Sequence, residues 1–157
     1  MRSVGSSVAH ARIRSMSSLE RAISIAAHAH AGQVDKAGQP YILHPLRVML
    51  RVTTDAERMA AALHDVVEDS DVTLEQLTLE GFSSEVVDAV DALTKRAGET
   101  RIQAAHRAAA HPVARVVKLA DNAENLDISR ILNPTARDLA RTEEYKLVRS
   151  ILLAATS

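Results

Sequence analysis

Along most of this chain apolar residues recur at three- and four-residue intervals, and no segment alternates with period two for long enough to propose a sheet. The expected fold is therefore all-α. Ser17-Ser18-Leu19-Glu20 has the form of a capping box, and Leu19, Ala22, Ile23, Ala26, Ala27 and His30 then follow at helical spacing as far as about Ala31, where Gly32 ends the run. Residues 33–40 read as a loop, and Pro45 suits the first position of a helix carrying Leu46, Met49 and Leu50, with His44 just before it. A third helix opens near Asp55, with Met59, Leu63, Val66 and Val67 as its buried stripe and His64, Asp65 and Glu68 on another face. Thr73 and Gln76 form a second capping box for a short helix stopping at Gly81. Phe82 and Val87 make a hydrophobic staple for the next helix, which buries Val86, Val90 and Leu93. Residues 94–100 are a polar connection containing Gly98, expected to be mobile and near any site. A weakly patterned helix through Ala110, a restart at His111-Pro112, a helix over Val113–Leu126 and a last one over Pro134–Ala154 complete the chain. That last helix carries Leu139, Tyr145, Leu147, Val148, Ile151 and Leu152.

Composition narrows this pattern. The 157 residues suffice for one domain with a real core, and with 46% apolar residues but only 2% aromatic ones that core must be aliphatic. A net charge of −1 offers no general surface for nucleic acid. The lack of cysteine removes disulfides, thiolate catalysis and Cys-rich zinc sites, and is compatible with a cytoplasmic location. No apolar run approaches the ~20 residues of a membrane span. Residues 1–16 contain three arginines and no apolar segment, so they are read as a disordered extension, with Met16 a candidate natural start and residues 17–157 as the domain.

Two stretches carry chemistry. Leu63 to Asp69 packs four ionisable groups, His64, Asp65, Glu68 and Asp69, into the end of an Ala-rich helix. An adjacent imidazole and carboxylate form the mixed donor set that suits Mn, Fe or Zn. Glu68 and Asp69 stand one helical turn beyond them, a spacing that suits a carboxylate orienting or deprotonating an attacking water. The competing reading is a solvated acidic helix end, which the helix dipole disfavours by only a few tenths of a kcal/mol; residue types alone do not choose between the two. In the helix Val113–Leu126, Lys118, Asp121, Asn122 and Asn125 fall on one narrow polar stripe against a background of Val and Ala. Such a stripe either faces solvent or lines a site, and its amide and ligand residue types favour the site.

The order His44, His64-Asp65, Asp121 resembles the metal-binding pattern of the HD superfamily of phosphohydrolases. More narrowly, Ala29 to Gln33 (AHAGQ), Pro40 to Pro45 (PYILHP), Leu63 to Asp69 (LHDVVED) and Lys118 to Asp121 (KLAD) resemble the hydrolase domain of Rel/SpoT proteins and the small stand-alone alarmone hydrolases. The resemblance covers roughly Leu19 to Leu152. It implies an HD-type helical bundle with a metal site between helices. One divalent ion, Mn²⁺ in the first place, would be held by His44, His64, Asp65 and Asp121. It implies that Glu68 and Asp69 act on the attacking water, that Lys36, Lys118 and Asn125 contact the nucleotide, and that the reaction removes the 3′-pyrophosphate of guanosine tetra- or pentaphosphate. The bland alternatives are an HD hydrolase of another phosphorylated nucleotide and a non-catalytic nucleotide-binding module that kept its metal.

The chain also departs from the family pattern. Where the family's loop reads Gln-x-Arg-Lys, this one reads Gln33-Val34-Asp35-Lys36, and an acid in place of a cation is expected to weaken nucleotide binding. After Glu99 the chain has Thr100-Arg101-Ile102 in place of the family's aromatic pattern. Among the remaining candidates, His28 and His30 lie two apart on a helix and must point apart. His106 and His111 fall outside every motif. Tyr41 is the aromatic expected beside the ligands, and Glu99 is a candidate substrate contact from the mobile connection.

Overall fold

The computed structural model describes residues 16–155, so the reading of residues 1–15 as an extension lies outside the described residues. Among these residues there are nine helices: α1 (Leu19–Ala29), α2 (Leu43–Leu50), α3 (Asp55–Leu63), α4 (Val66–Asp69), α5 (Leu74–Leu79), α6 (Ser84–Leu93), α7 (Arg101–Ala109), α8 (Pro112–Leu126) and α9 (Ala136–Ala154). None is long and apolar enough to cross a membrane. Their starts are written locally. Thr54/Glu57, Thr73/Gln76, Thr100/Gln103 and Thr135/Asp138 each form a reciprocal capping box, and the Ser18 and Ser83 side chains accept from the helices they precede. A side-chain cap of this kind stabilises a helix by about 1 kcal/mol.

Helix α3 is the centre of the molecule and packs against α1, α2, α6 and α8. Its last four residues, Ala60, Ala61, Ala62 and Leu63, are wholly buried. A run of alanines buried on every side lets four neighbours approach closely without a large aromatic core. A smaller cluster of Ala105, Val148 and Leu152 joins α7 to α9.

Three local departures from the sequence expectations shape the site. Helix α2 begins two residues before Pro45, so His44 lies within its first turn; proline is tolerated there because first-turn N–H groups have no intrahelical partner anyway. The third helix does not run on to Asp69. His64 takes the Ala61 carbonyl twice, through its backbone N–H at 3.4 Å and through ring Nδ1 at 2.6 Å, and the chain breaks at His64-Asp65 before α4 resumes. On α9, Leu139 and Leu147 are more than half exposed, and the buried face is set by Val148 and Leu152.

Candidate functional site

Three elements deliver the functional side chains to one point. The tight turn at Tyr41 to His44 and the first turn of α2 present His44; the α3–α4 break presents His64 and Asp65; the middle of α8 presents Asp121. His44, His64 and Asp121 are buried, and one donor atom of each lies within 4.8 Å of the others. His44 Nε2 is 2.9 Å from Asp121 Oδ1 and 3.9 Å from Asp65 Oδ2. His64 Nε2 is 3.0 Å from Asp65 Oδ2 and 3.5 Å from Asp121 Oδ1. Asp65 stands at the N-cap position of α4 yet makes no capping bond, so its carboxylate is free to turn into this cluster.

The protonation logic of His64 bears on what the cluster can hold. Its Nδ1–H donates to the Ala61 carbonyl, which in a neutral ring leaves Nε2 as a lone pair among two carboxylates. Despite the short distances, Nε2 is buried and aligned for a hydrogen bond with neither oxygen. Burial alone pushes the ring toward its neutral form, but the carboxylates of Asp65 and Asp121 outweigh it and raise its pKa well above the ordinary value. For Asp65 burial opposes ionisation, yet His64 and the Tyr41 hydroxyl hold the carboxyl down at about 2. The cluster therefore requires positive charge at its centre. Two imidazole nitrogens and two carboxylate oxygens fit a divalent first-row ion and leave coordination positions open.

A supporting layer surrounds these donors. Tyr41 donates its hydroxyl to Asp65 Oδ2, and burial followed by that carboxylate pushes the phenol pKa up. Lys118 Nζ donates to Asp121 Oδ2 at 3.1 Å and Asn125 Nδ2 to Asp121 Oδ1 at 3.1 Å. Glu68 and Asp69 are exposed one turn beyond the cluster. Glu68 Oε1 accepts the backbone N–H of Lys95 at 2.8 Å and faces a cleft of about 330 Å³ that also contains Lys95, Arg101, Lys118 and Asn125. Asp69 lines neither this cleft nor its neighbour. Partial burial, then Asp65 and Glu68, raise its pKa.

A second cleft, of about 300 Å³, opens on the other side of Tyr41, His44, Asn125 and Tyr145, which line both. Lys36 lies on its rim, half exposed and 3.3 Å from Asp138. Asp35 is occupied by its own loop: Oδ1 accepts from Ala37 N at 2.9 Å and Gln39 N at 3.0 Å, and Oδ2 is 3.5 Å from Arg130. Asn122, the fourth member of the polar stripe, is buried and donates to the Tyr145 carbonyl at 2.9 Å, a structural role. His28 is exposed and His30 buried, pointing apart as expected; His30 packs on Tyr41 with ring centroids 4.9 Å apart. His106 is exposed, and His111 caps α8 through Nδ1. Glu99 is bound to Arg107 and does not reach the cleft linings, and the connection it belongs to is braced by hydrogen bonds on both sides.

Two features escape a reading of the sequence. Glu124 is buried on α8 between Arg47 and Arg51, at 3.1 and 2.6 Å. The i,i+4 arginines of α2 are its signal, although their partner lies 73 and 77 positions away. Tyr145 is a second aromatic beside the site, with the Arg101 guanidinium 4.8 Å from its ring centre. Arg101 in turn pairs with Glu144 at 2.6 Å.

A family model described as HD domain matches residues 22–139. The chain is 37% identical over 144 residues to the Mus musculus protein named guanosine-3′,5′-bis(diphosphate) 3′-pyrophosphohydrolase MESH1, covering 81% of this chain and 78% of that one. It is 37% identical over 146 residues to a probable GTP pyrophosphokinase of Mycobacterium leprae, covering 85% of this chain but 18% of that protein. Similarly, it spans 11% of a Vibrio cholerae relative and 16% of a Streptomyces coelicolor one. A solved structure described as a metazoan ortholog of SpoT that hydrolyzes ppGpp superposes with a TM-score of 0.71 at 26% identity, covering 87% of this chain and 84% of that one.

Proposed function

Because this chain belongs to the HD-domain family, we propose that it is a metal-dependent phosphohydrolase removing the 3′-pyrophosphate of guanosine tetra- or pentaphosphate, acting in the cytoplasm with Mn²⁺ as its ion. The observation that supports the reading is the convergence of His44, His64 and Asp121 beside two clefts, with the Asp65 carboxylate 3.0 Å from His64 Nε2 and 3.9 Å from His44 Nε2. When bound there, a divalent ion supplies Lewis acidity toward a phosphate oxygen and toward water.

The chain's own residues divide the remaining work. Tyr41 and Lys118 hold the carboxylates of Asp65 and Asp121 in place, and Asn125 fixes Asp121 from the side shared by both clefts. Glu68, held by the Lys95 amide at the mouth of the cationic cleft, takes the proton of the attacking water. Lys95 and Arg101 give that cleft the charge needed by the departing pyrophosphate, while the second cleft receives the nucleoside beside Tyr41 and Lys36. Asp69 acts from outside both clefts, through the charge it adds beside Glu68 and Asp65. Among the described residues the four that line both clefts, Tyr41, His44, Asn125 and Tyr145, include no serine, threonine or cysteine, so water is the acceptor.

Release of pyrophosphate from ppGpp by the Mn²⁺-loaded protein, and its loss after chelation, tests this reading. Turnover of a different phosphorylated nucleotide with ppGpp untouched would replace the substrate and keep the reaction class. Metal retention without turnover of any nucleotide would leave a binding module.

A further inference from the structure

We propose that Arg107 is a positioning residue for Glu68, acting through the peptide unit that joins Thr94 to Lys95. The proposal rests on the reading of Glu68 as the carboxylate that works on the attacking water. Arg107 projects from α7 toward the connection after α6, and every one of its five N–H groups has a partner. Nη1 donates to the carbonyls of Asp91 and Ala92, both at 3.0 Å; Nη2 donates to the Thr94 carbonyl at 2.7 Å and to Glu99 Oε1 at 2.8 Å; Nε donates to Glu99 Oε2 at 2.9 Å. The guanidinium therefore closes the C-terminal end of α6, whose last carbonyls have no helical partners.

The Thr94 carbonyl is also one end of the peptide plane whose other end is the Lys95 N–H, and that N–H donates to Glu68 Oε1 at 2.8 Å. In a trans peptide C=O and N–H point in opposite directions across a rigid plane. Arg107 thus grips one edge while Glu68 is held by the other, and a rotation that frees the carbonyl also turns the N–H away from Glu68. Thr94 is already extended, with φ −83° and ψ 119°, so regular helix geometry does not fix this plane. The cation on the carbonyl also polarises the peptide and strengthens its N–H as a donor to a carboxylate. Lysine cannot replace this arrangement, because a single ammonium offers three donors from one point where the fork offers five in a fixed plane.

The test is a double-mutant cycle with two readouts on the full chain. Arg107→Lys should lower kcat for the nucleotide by roughly tenfold or more, the scale of a lost hydrogen bond to a charged group. KM and bound Mn²⁺ should be nearly unchanged. In a Glu68→Gln background the same substitution should cost almost nothing further. Independent, multiplying losses in the two backgrounds would overturn the proposal, because they would describe a general loss of structure. The second readout needs no substrate: the backbone amide resonance of Lys95 should shift in Arg107→Lys and in Glu68→Gln, with the double variant no further displaced. An unmoved Lys95 amide in Arg107→Lys overturns the proposal whatever the enzyme hydrolyses. A coupled amide shift in a protein inert toward ppGpp supports the positional claim and rejects the proposed substrate. Should Arg107→Lys fail to fold, Glu99→Ala decides, since it loosens Arg107 and leaves its carbonyl bonds possible. A shifted Lys95 amide supports the proposal, and an unmoved one overturns it.

Discussion

The cluster of His44, His64, Asp65 and Asp121 and the loop over residues 33–40 both border the clefts beside Tyr41, and each contains aspartate, but their aspartates are in opposite states. Asp35 is closed: two backbone N–H groups take one of its oxygens and Arg130 faces the other. Asp65 and Asp121 are open in a specific sense. Each is held from outside, by Tyr41 or by Lys118 and Asn125, and on the inside His44 Nε2 bonds Asp121 at 2.9 Å while both carboxylates face His64 Nε2, which is hydrogen-bonded to neither. What separates a site from a charged surface loop is this unfinished valence. A carboxylate in a loop finds local amides and an arginine, whereas the carboxylates of the cluster, with Lys118 on the outer oxygen of Asp121, still face an unpaired imidazole nitrogen from within, and burial makes that deficit expensive.

The largest effect should come from removing one of the converging charges. Asp65→Asn keeps the side-chain volume and abolishes a negative ligand, so bound Mn²⁺ and activity should both fall to background. Metal content and pyrophosphate release on the same preparation check it. A variant that has lost the metal and turns over at the original rate would break the comparison, because the cluster would then be a structural network no different in kind from the loop.

Next in size are the carboxylates one turn away. Glu68→Gln should retain the metal and lower kcat by about 10²–10⁴, the usual worth of general-base assistance. Asp69→Asn should act in the same direction and more weakly, since Asp69 lines neither cleft. Equal losses in the two would mean that Asp69 touches the reacting groups and that the exposed acidic turn works as a pair.

The helices were legible because they depend on local spacing, whereas His44, His64, Asp65 and Asp121, up to 77 positions apart, came from the order of motifs that resembles the HD superfamily, and the structure brings the four side chains together. Capping boxes, the Val/Ala stripe of α8 and the His64-Asp65 pair are written within a few residues of one another, and the fold preserves them. Where the expectations failed, the deciding contact was a side-chain bond that periodicity does not specify, whether its partner was near or far along the chain. Spacing alone gives no hint that a histidine ring will take the Ala61 carbonyl and end α3 one turn early. Nor does it show that Arg107 will occupy Glu99 and brace residues 94–99, or that Arg130 will face Asp35 across 95 positions of chain. A residue's charge is visible in sequence, but whether that charge is already used is a tertiary fact.

A pH titration sharpens the comparison at intermediate size. In the metal-free protein burial favours neutral His64, but Asp65 and Asp121 prevail and raise its pKa well above the ordinary ~6.5. Below that raised pKa a proton occupies the position the ion needs, so Mn²⁺ affinity should climb with pH through neutrality and level off only above it. Calorimetry in buffers of different ionisation enthalpy should find about one proton released per ion bound at pH 7. Binding that is flat with pH down to 6 would mean that His64 is already neutral and that the carboxylates do not converge as described.

The smallest effects belong to the loop, and they turn an expectation drawn from residue type. An acid in place of a family cation suggests repulsion of the nucleotide, and hence that Asp35→Arg should lower KM. The hydrogen bonds argue otherwise. Arginine at position 35 loses both acceptor bonds to Ala37 and Gln39 and brings a second guanidinium against Arg130. Each lost neutral-to-charged bond is worth about 1.5–3 kcal/mol, much of it recovered because the loop is exposed to water. Asp35→Arg should therefore lower the melting temperature by several degrees (~2–8 °C for a domain of this size) and leave KM equal or higher. Asp35→Asn separates charge from geometry, since its amide oxygen can still accept both N–H groups. Its KM should stay within about twofold of wild type, a difference of less than ~0.5 kcal/mol. A tenfold fall in KM for Asp35→Asn would show that the negative charge reaches the substrate past Arg130. The loop would then belong with the cluster as an unfinished site, and the contrast between the two regions would not hold.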